Sequence, residues 1–232
     1  MCVTCNRRSV LKMGCLAAVW GGVSRVMGAT VKHHLPPVDL SFISDTLTVI
    51  RRSEWADVDA RPWRLREAVA FNRITVHHGG SVVDFKTSKE RVEQIIEGML
   101  LDHRNRNYGD MGYHFVVDFA GRVWEARSLA YEGAHTSRQN EGNIGVVLLG
   151  NFQEQNPARK QLDALKILIE SLRERYRIKR HRIYGHRDLA QSLCPGERLY
   201  GRIRAFRSGD EPSPITRAGQ SVSMSQAKME GS

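Results

Sequence analysis

The sequence predicts an α/β fold in which a single domain holds a central mixed β-sheet flanked by helices. Short segments rich in β-branched residues alternate with longer segments of helical periodicity, as in domains whose helices pack on a sheet. The chain has 232 residues, enough for one domain with a sizeable core and terminal extensions. Between positions 47 and 206 it contains neither an internal repeat nor a long linker.

The first half of this region predicts one strand, one helix and one hairpin. Residues 74–78 (ITVHH) are β-branched and stop at two glycines, as a short strand does. Thr87 and Glu90 have the spacing of a capping box, which predicts a helix that begins there. Apolar residues then recur at helical period, namely Val92, Ile95, Ile96, Met99 and Leu100. Residues 113–118 and 122–125 flank FAG, which predicts a β-hairpin.

The second half predicts a strand, a helix and a further strand. Residues 144–149 (IGVVLL) form an apolar run that is typical of a buried central strand. Pro157 is suited to the first turn of a helix. The apolar stripe of that helix comprises Leu162, Leu165, Ile169, Leu172 and Tyr176. Residues 182–184 predict a last short strand.

The N-terminus has the pattern of a twin-arginine signal peptide. Arg7 and Arg8 precede an apolar stretch over 13–27 and a small-residue site that ends at Ala29. The stretch is too short and too interrupted to remain in a bilayer, so we expect it to be removed. Cys15 leaves a lipid-modified cysteine as an alternative, which Lys12 disfavours because an apolar run should precede the modified residue. Export would place the mature chain in the periplasmic or cell-wall space.

Composition divides the chain into four segments. We expect a signal peptide over 1–29, an extended arm over 30–46, the folded domain over 47–206 and a disordered tail over 207–232. The tail is rich in Gly, Ser, Pro, Gln and charged residues, and it has too few large apolar side chains to order itself.

The charge of the chain is basic, and it falls when the signal peptide is removed. The formal charge of +10 drops to +6, because residues 1–29 contain four basic residues and no acidic ones. A moderately basic surface suits nucleic acid, membranes or anionic wall polymers. Export and the lack of a recognisable nucleic-acid module both argue against nucleic acid. We expect neither a nucleic-acid partner nor a stable membrane anchor.

One cysteine stands out because it has no partner in the mature chain. Three of the four cysteines lie in the predicted signal peptide, which leaves Cys194 alone. It follows His186 by eight residues, and His77 and His78 lie on a predicted strand. Taken singly, each of these residues is more often a core or surface residue than a ligand. Together they predict a His/His/Cys zinc site with one open coordination position.

Five ordered motifs resemble the zinc amidases of the peptidoglycan recognition protein and phage lysozyme type. They are RSEWADVDARP, ITVHHGG, DMGYHFVVDFAGRVWEAR, GAHTSRQNEGNIGVVLLGNF and YGHRDLAQSLCPGERLYGRI. The resemblance implies an N-acetylmuramoyl-L-alanine amidase that cuts the amide between N-acetylmuramic acid and the first alanine of the peptide stem. It also implies that His77, His186 and Cys194 bind one zinc ion per chain.

The resemblance further implies roles for five other residues. Tyr113 of the GYHF motif corresponds to the catalytic hydroxyl, which would hydrogen-bond the attacking water or the developing oxyanion. His103, His135 and Asn140 correspond to residues that bind the glycopeptide. Ser192 occupies a catalytic position where the phage enzyme has lysine and recognition proteins usually have threonine, and it keeps a hydroxyl without the positive charge.

The predicted activity is therefore hydrolysis of peptidoglycan by a water molecule that zinc activates. One position departs from many family members, because Gly79 stands where they have threonine and one substrate hydrogen bond would be missing. The alternative is a sensor that binds peptidoglycan or muropeptides without cutting them. Sensors of this family lose the zinc-binding cysteine, which this chain keeps. Use of the same site against a foreign cell wall stays open.

Overall fold

A six-stranded sheet organises residues 38–210, which are the residues that the computed structural model describes. Its strands are β1 (Val49–Ile50), β2 (Arg73–His78), β3 (Phe115–Val117), β4 (Val123–Glu125), β5 (Asn143–Leu148) and β6 (Ile183–Gly185). Their order across the sheet is β1-β4-β3-β5-β2-β6. The β3–β4 hairpin pairs antiparallel and every other pair is parallel. The sheet is mixed, and the predicted single α/β domain is confirmed.

Within residues 38–210, four helices and three short 3-10 turns lie between the strands or follow the last of them. The helices are α1 (Arg52–Trp55), α2 (Lys89–Asn105), α3 (Arg159–Tyr176) and α4 (Glu197–Ser208). The 3-10 turns span Pro62–Arg64, Arg180–Arg182 and His186–Asp188.

Helices cover both faces of the sheet. The core on one face joins α3 and α4 to β2, β3 and β5, and it includes Ile74, Val76, Phe115, Val146, Leu165 and Ile203. The core on the other face joins α1 and α2 to the sheet, and it includes Trp55, Ile96, Leu100, Val116, Trp124 and Val147. Side chains alternate between the faces along a strand, so His77 points to the α2 face whereas Val76 points away from it.

The helix starts differ from the predicted ones by one or two residues. α2 begins after Ser88, whose Oγ accepts a hydrogen bond from the Arg91 amide at 3.3 Å. Thr87 was the predicted first capping residue, but its hydroxyl donates to the Asp84 carbonyl at 2.5 Å and is not the cap. Similarly, Pro157 precedes the N-cap of α3, which is Ala158. At α2 the side-chain hydrogen bond to Ser88 marks the boundary, whereas the N-cap of α3 has no such bond, so residue spacing alone does not fix the first residue of a helix.

The segment before β1 is attached to the core. Leu40 and Ile43 are buried in the core on the α3 side, and the Ser44 amide donates to Ser171 Oγ of α3 at 3.3 Å. The predicted signal peptide lies outside the described residues, as do 30–37 and 211–232, so the four segment boundaries stay predictions. No helix within 38–210 combines the length and the apolar character that crossing a bilayer requires.

Candidate metal centre

Strand register brings two distant histidines together. β2 ends with His77 and His78, and β6 pairs with β2 so that Gly185 lies opposite Val76. The next residue after each of these is a histidine, His77 on β2 and His186 at the start of the 3-10 turn that follows β6. Parallel pairing therefore places both imidazoles at the carboxyl end of the sheet, and their ring centroids are 4.6 Å apart.

The loop after the 3-10 turn adds a sulfur to this pair. Potential ligand atoms of His77, His186 and Cys194 all lie within 4.8 Å of one another. The distance from His77 Nδ1 to Cys194 Sγ is 3.7 Å. Two ligands of a tetrahedral zinc ion, with bonds of about 2.0 Å to nitrogen and 2.3 Å to sulfur, stand roughly 3.5 Å apart. Both the donor types and the spacing therefore fit one zinc ion with a fourth position open.

Backbone hydrogen bonds fix the thiol in place. The His78 amide donates to Cys194 Sγ at 3.4 Å, and the Arg187 amide donates to the Cys194 carbonyl at 2.9 Å. Burial raises the pKa of the Cys194 thiol to about 11, although the His78 amide opposes this. The thiol is therefore protonated in the metal-free site, and binding of a metal ion must release that proton.

Asp188 attaches the His186 turn to α4. Its Oδ2 accepts from the Gly185 amide at 2.8 Å, and its Oδ1 accepts from the Tyr200 hydroxyl at 2.6 Å. Arg207 also donates to this carboxylate. We did not predict this role from the sequence, although the GHRD motif that carries the histidine contains the aspartate. The carboxylate therefore fixes the turn that carries the candidate ligand His186.

Ser192 uses its hydroxyl oxygen within the loop that carries the cysteine. Its Oγ accepts a hydrogen bond from the Cys194 amide at 3.0 Å. That contact helps to shape the loop. The catalytic role of Ser192 stays a prediction that the geometry does not require.

Tyr113 lies against the candidate ligands. Its ring centroid is 5.1 Å from that of His77 and 5.6 Å from that of His103. Burial raises the pKa of the Tyr113 hydroxyl above its usual range, and the nearby Cys194 adds to the effect. The phenol is therefore neutral at physiological pH and retains a proton to donate.

The three residues predicted to bind substrate make contacts within the protein. His103 Nδ1 accepts from the Gly112 amide at 2.8 Å. Asn140 Oδ1 accepts from the His135 amide at 2.9 Å and from the Thr136 amide at 2.8 Å. His135 lies behind His77, with its Nδ1 3.0 Å from His77 Nε2. Their predicted contacts with substrate stay predictions.

His114 was not singled out from the sequence. Its Nδ1 accepts from the Gly145 amide at 3.0 Å, and its Nε2 donates to the Tyr131 carbonyl at 3.0 Å. The side chain is fully buried, and burial lowers the pKa of His114 to about 3. As a neutral group, His114 therefore connects the residue before β3 to Gly145 of β5 and to the loop at Tyr131. The adjacent Tyr113 drew attention because of the resemblance, but no pattern pointed to His114.

Comparison with known proteins finds peptidoglycan recognition proteins that are similar to this chain over most of the domain. The chain is 27% identical over 176 residues to peptidoglycan-recognition protein SD of Drosophila simulans, which covers 73% of this chain and 91% of that protein. It is 32% identical over 167 residues to peptidoglycan recognition protein 1 of Mus musculus, which covers 68% of this chain and 87% of that protein.

Solved structures agree in fold. Drosophila PGRP-LB matches with a TM-score of 0.62 at 25% identity, over 68% of this chain and 94% of that one. The endolysin N-acetylmuramoyl-L-alanine amidase LysCS from Clostridium intestinale matches with a TM-score of 0.55 at 23% identity, over 71% of this chain and 97% of that one. At this identity the match shows a shared fold and nothing more. Residues 67–197, more than half of the chain, match the family described as N-acetylmuramoyl-L-alanine amidase, and the chain belongs to that family.

Proposed function

We propose that the chain is a zinc-dependent N-acetylmuramoyl-L-alanine amidase that hydrolyses the amide between N-acetylmuramic acid and L-alanine in peptidoglycan. One observation carries the proposal. In a member of this amidase family, ligand atoms of His77, His186 and Cys194 converge within 4.8 Å. Three protein ligands and an open fourth position are typical of catalytic zinc, whereas structural zinc sites close all four positions with protein ligands.

The candidate zinc ligands and Tyr113 would have different chemical roles. A zinc ion held there would supply Lewis-acid chemistry, polarising a carbonyl and lowering the pKa of a bound water to about 7. Tyr113, whose ring lies 5.1 Å from that of His77, would donate a hydrogen bond from its neutral hydroxyl to the oxygen on which negative charge develops. Burial lowers the pKa of His77 and of His186, so both imidazoles stay neutral and keep a lone pair for a metal ion.

A peptidoglycan sensor without hydrolysis is the second candidate function. The curated relatives named above are peptidoglycan recognition proteins, and one similar structure is described as tracheal cytotoxin bound to the ectodomain complex of PGRP-LCa and PGRP-LCx. The convergence of Cys194 with both histidines favours the enzyme, because a sensor that only binds has no use for an open metal site.

Digestion of purified peptidoglycan separates the two functions. Mass spectrometry should detect stem peptides with a free N-terminal alanine after incubation with the zinc-loaded protein. Cys194→Ser should release none and should lose the zinc, because the ligand set depends on the thiolate. Gln191→Ala, at an exposed position of the same loop, is the matched control and should behave as the wild type. Binding to sedimented peptidoglycan without release of peptides by the zinc-loaded wild type would favour the sensor.

We also propose that the enzyme acts in the periplasmic or cell-wall space after export by the twin-arginine route. The support is the sequence pattern of Arg7, Arg8 and the apolar stretch that ends at Ala29. Replacement of both arginines by lysine should retain the full-length chain in the cytoplasmic fraction. Unchanged export of that variant would contradict the route.

A further inference from the structure

A chain of hydrogen bonds runs from His77 through His135 to the backbone carbonyl of Asn143. His77 Nε2 lies 3.0 Å from His135 Nδ1. On the other side of the His135 ring, Nε2 lies 3.2 Å from the Asn143 carbonyl oxygen. The far nitrogen of His77, Nδ1, is the one that faces Cys194 Sγ.

The carbonyl decides which nitrogens carry protons. A carbonyl oxygen only accepts, so His135 Nε2 must be the protonated nitrogen. The polar groups around the ring are a carbonyl, a hydroxyl and another imidazole, none of which compensates a buried positive charge, so His135 is neutral and its Nδ1 accepts. His77 Nε2 then donates to that acceptor. This leaves a lone pair on His77 Nδ1, facing the sulfur.

Thr136 contacts the same pair without changing this assignment. Its hydroxyl oxygen is 3.0 Å from His135 Nδ1 and 3.5 Å from His77 Nε2. A hydroxyl can donate or accept, so it adapts to the imidazoles and does not dictate their protonation.

The backbone at Gly133 and Gly145 packs closely against the His135 ring because neither residue has a side chain. A Cβ added at Gly145 would lie 2.4 Å from His135 Cδ2, and one added at Gly133 would lie 2.5 Å from the same atom. The ring therefore sits closely between two backbone segments, one of them β5. Such contact leaves the imidazole little freedom to rotate away from His77.

We propose that His135 is a positioning residue that fixes the tautomer of His77, so that His77 Nδ1 is the nitrogen available to the metal ion. This inference rests on the metal site of the proposed function, but it does not depend on hydrolysis. It assigns His135 a role other than the substrate contact that the family resemblance implies. Partners that orient a metal-binding histidine in this way typically change metal affinity by about 10- to 100-fold when they are mutated.

Zinc affinity and nitrogen chemical shifts test the proposal in the full chain. Competition with a chelator should show that His135→Phe weakens zinc binding by about 10- to 100-fold. His135→Asn, whose amide oxygen can accept near the position of Nδ1, should recover most of the loss. His181→Phe removes an exposed histidine and serves as the control, with unchanged affinity. A His135→Phe variant with wild-type zinc affinity and a raised KM would overturn the proposal in favour of substrate contact.

If a His135 variant fails to fold, a measurement on the wild-type chain still tests the proposal. Nitrogen-15 NMR of the metal-free wild type should show His77 with a protonated Nε2 and an unprotonated Nδ1. The opposite tautomer, or an even mixture, would overturn the inference while leaving the proposed amidase intact. Conversely, the expected tautomer in a protein that binds no zinc would count against the amidase and not against the hydrogen-bond chain.

Discussion

Side chains at the candidate metal centre are oriented by hydrogen bonds from neighbouring residues to their remaining polar atoms. Cys194 receives the His78 amide, and His77 contacts His135. Residue types and motif order identified the three candidate ligands from the sequence. The hydrogen-bond partners could not be predicted in the same way, because they depend on which backbone groups lie next to each side chain in the folded chain. His114 shows this, since both of its partners are backbone groups.

Removing a single oxygen atom from Tyr113 should separate catalysis from metal binding. Tyr113→Phe keeps the ring against His77 but loses the hydroxyl donor. Loss of one donor to a developing oxyanion typically costs about 10²- to 10³-fold in rate, so peptide release should fall by that factor while zinc content stays unchanged. Tyr184→Phe removes a hydroxyl on β6 as the control. Wild-type turnover by Tyr113→Phe would exclude the proposed role.

At the scale of secondary-structure elements, the pairing of β2 with β6 determines where the candidate site lies. The sequence predicted a strand ending at His78 and another just before His186, and the structure contains both, with β6 one residue later than predicted. Their pairing could not be predicted, because alternating segments do not state which strands are neighbours. The two-residue strand β1 was also missed, since it is too short for periodicity to show.

Glycine substitutions distinguish a glycine that the packing requires from one that it does not. Gly145→Ala on β5 would put a Cβ 2.4 Å from His135, so we expect a loss of about 1–3 kcal/mol in the free energy of unfolding and weaker zinc binding. Gly98→Ala in α2 meets nothing within 4 Å and should add about 0.5–1 kcal/mol, because alanine is the better helix former. Urea unfolding of both variants tests this pair. Equal effects at the two positions would contradict the packing described for His135.

At the scale of the whole domain, residues 38–210 form a mixed sheet with helices on each face and a candidate site at the carboxyl ends of parallel strands. That class was predictable because apolar periodicity records which face of each element is buried, as α3 shows with its buried Leu165, Leu168 and Leu172. Polar side chains that become buried leave no comparable periodicity in the sequence. Histidines 103, 114 and 135 gather beside the site, and burial lowers the pKa of each.

Acid should destabilise the metal-free protein through its buried histidines. His114 has a folded pKa of about 3 against an ordinary value of 6.5, so below pH 6.5 the unfolded chain takes up a proton that the folded chain refuses. Stability should therefore fall as pH drops, by about 2 kcal/mol at pH 5 for this residue alone. Urea unfolding at pH 7 and pH 5, with a chelator present, should show a smaller loss for His114→Gln. Identical losses for wild type and variant would contradict the assignment.

Zinc-edge X-ray absorption, combined with metal analysis of the purified chain, tests whether three distant side chains bind one ion. We expect about one zinc per chain, coordinated by one sulfur, two imidazole nitrogens and one further light atom. Cys194→Ser should abolish the sulfur contribution. A zinc site without sulfur, or with four protein ligands, would contradict the open His77, His186 and Cys194 centre on which the proposed hydrolysis depends.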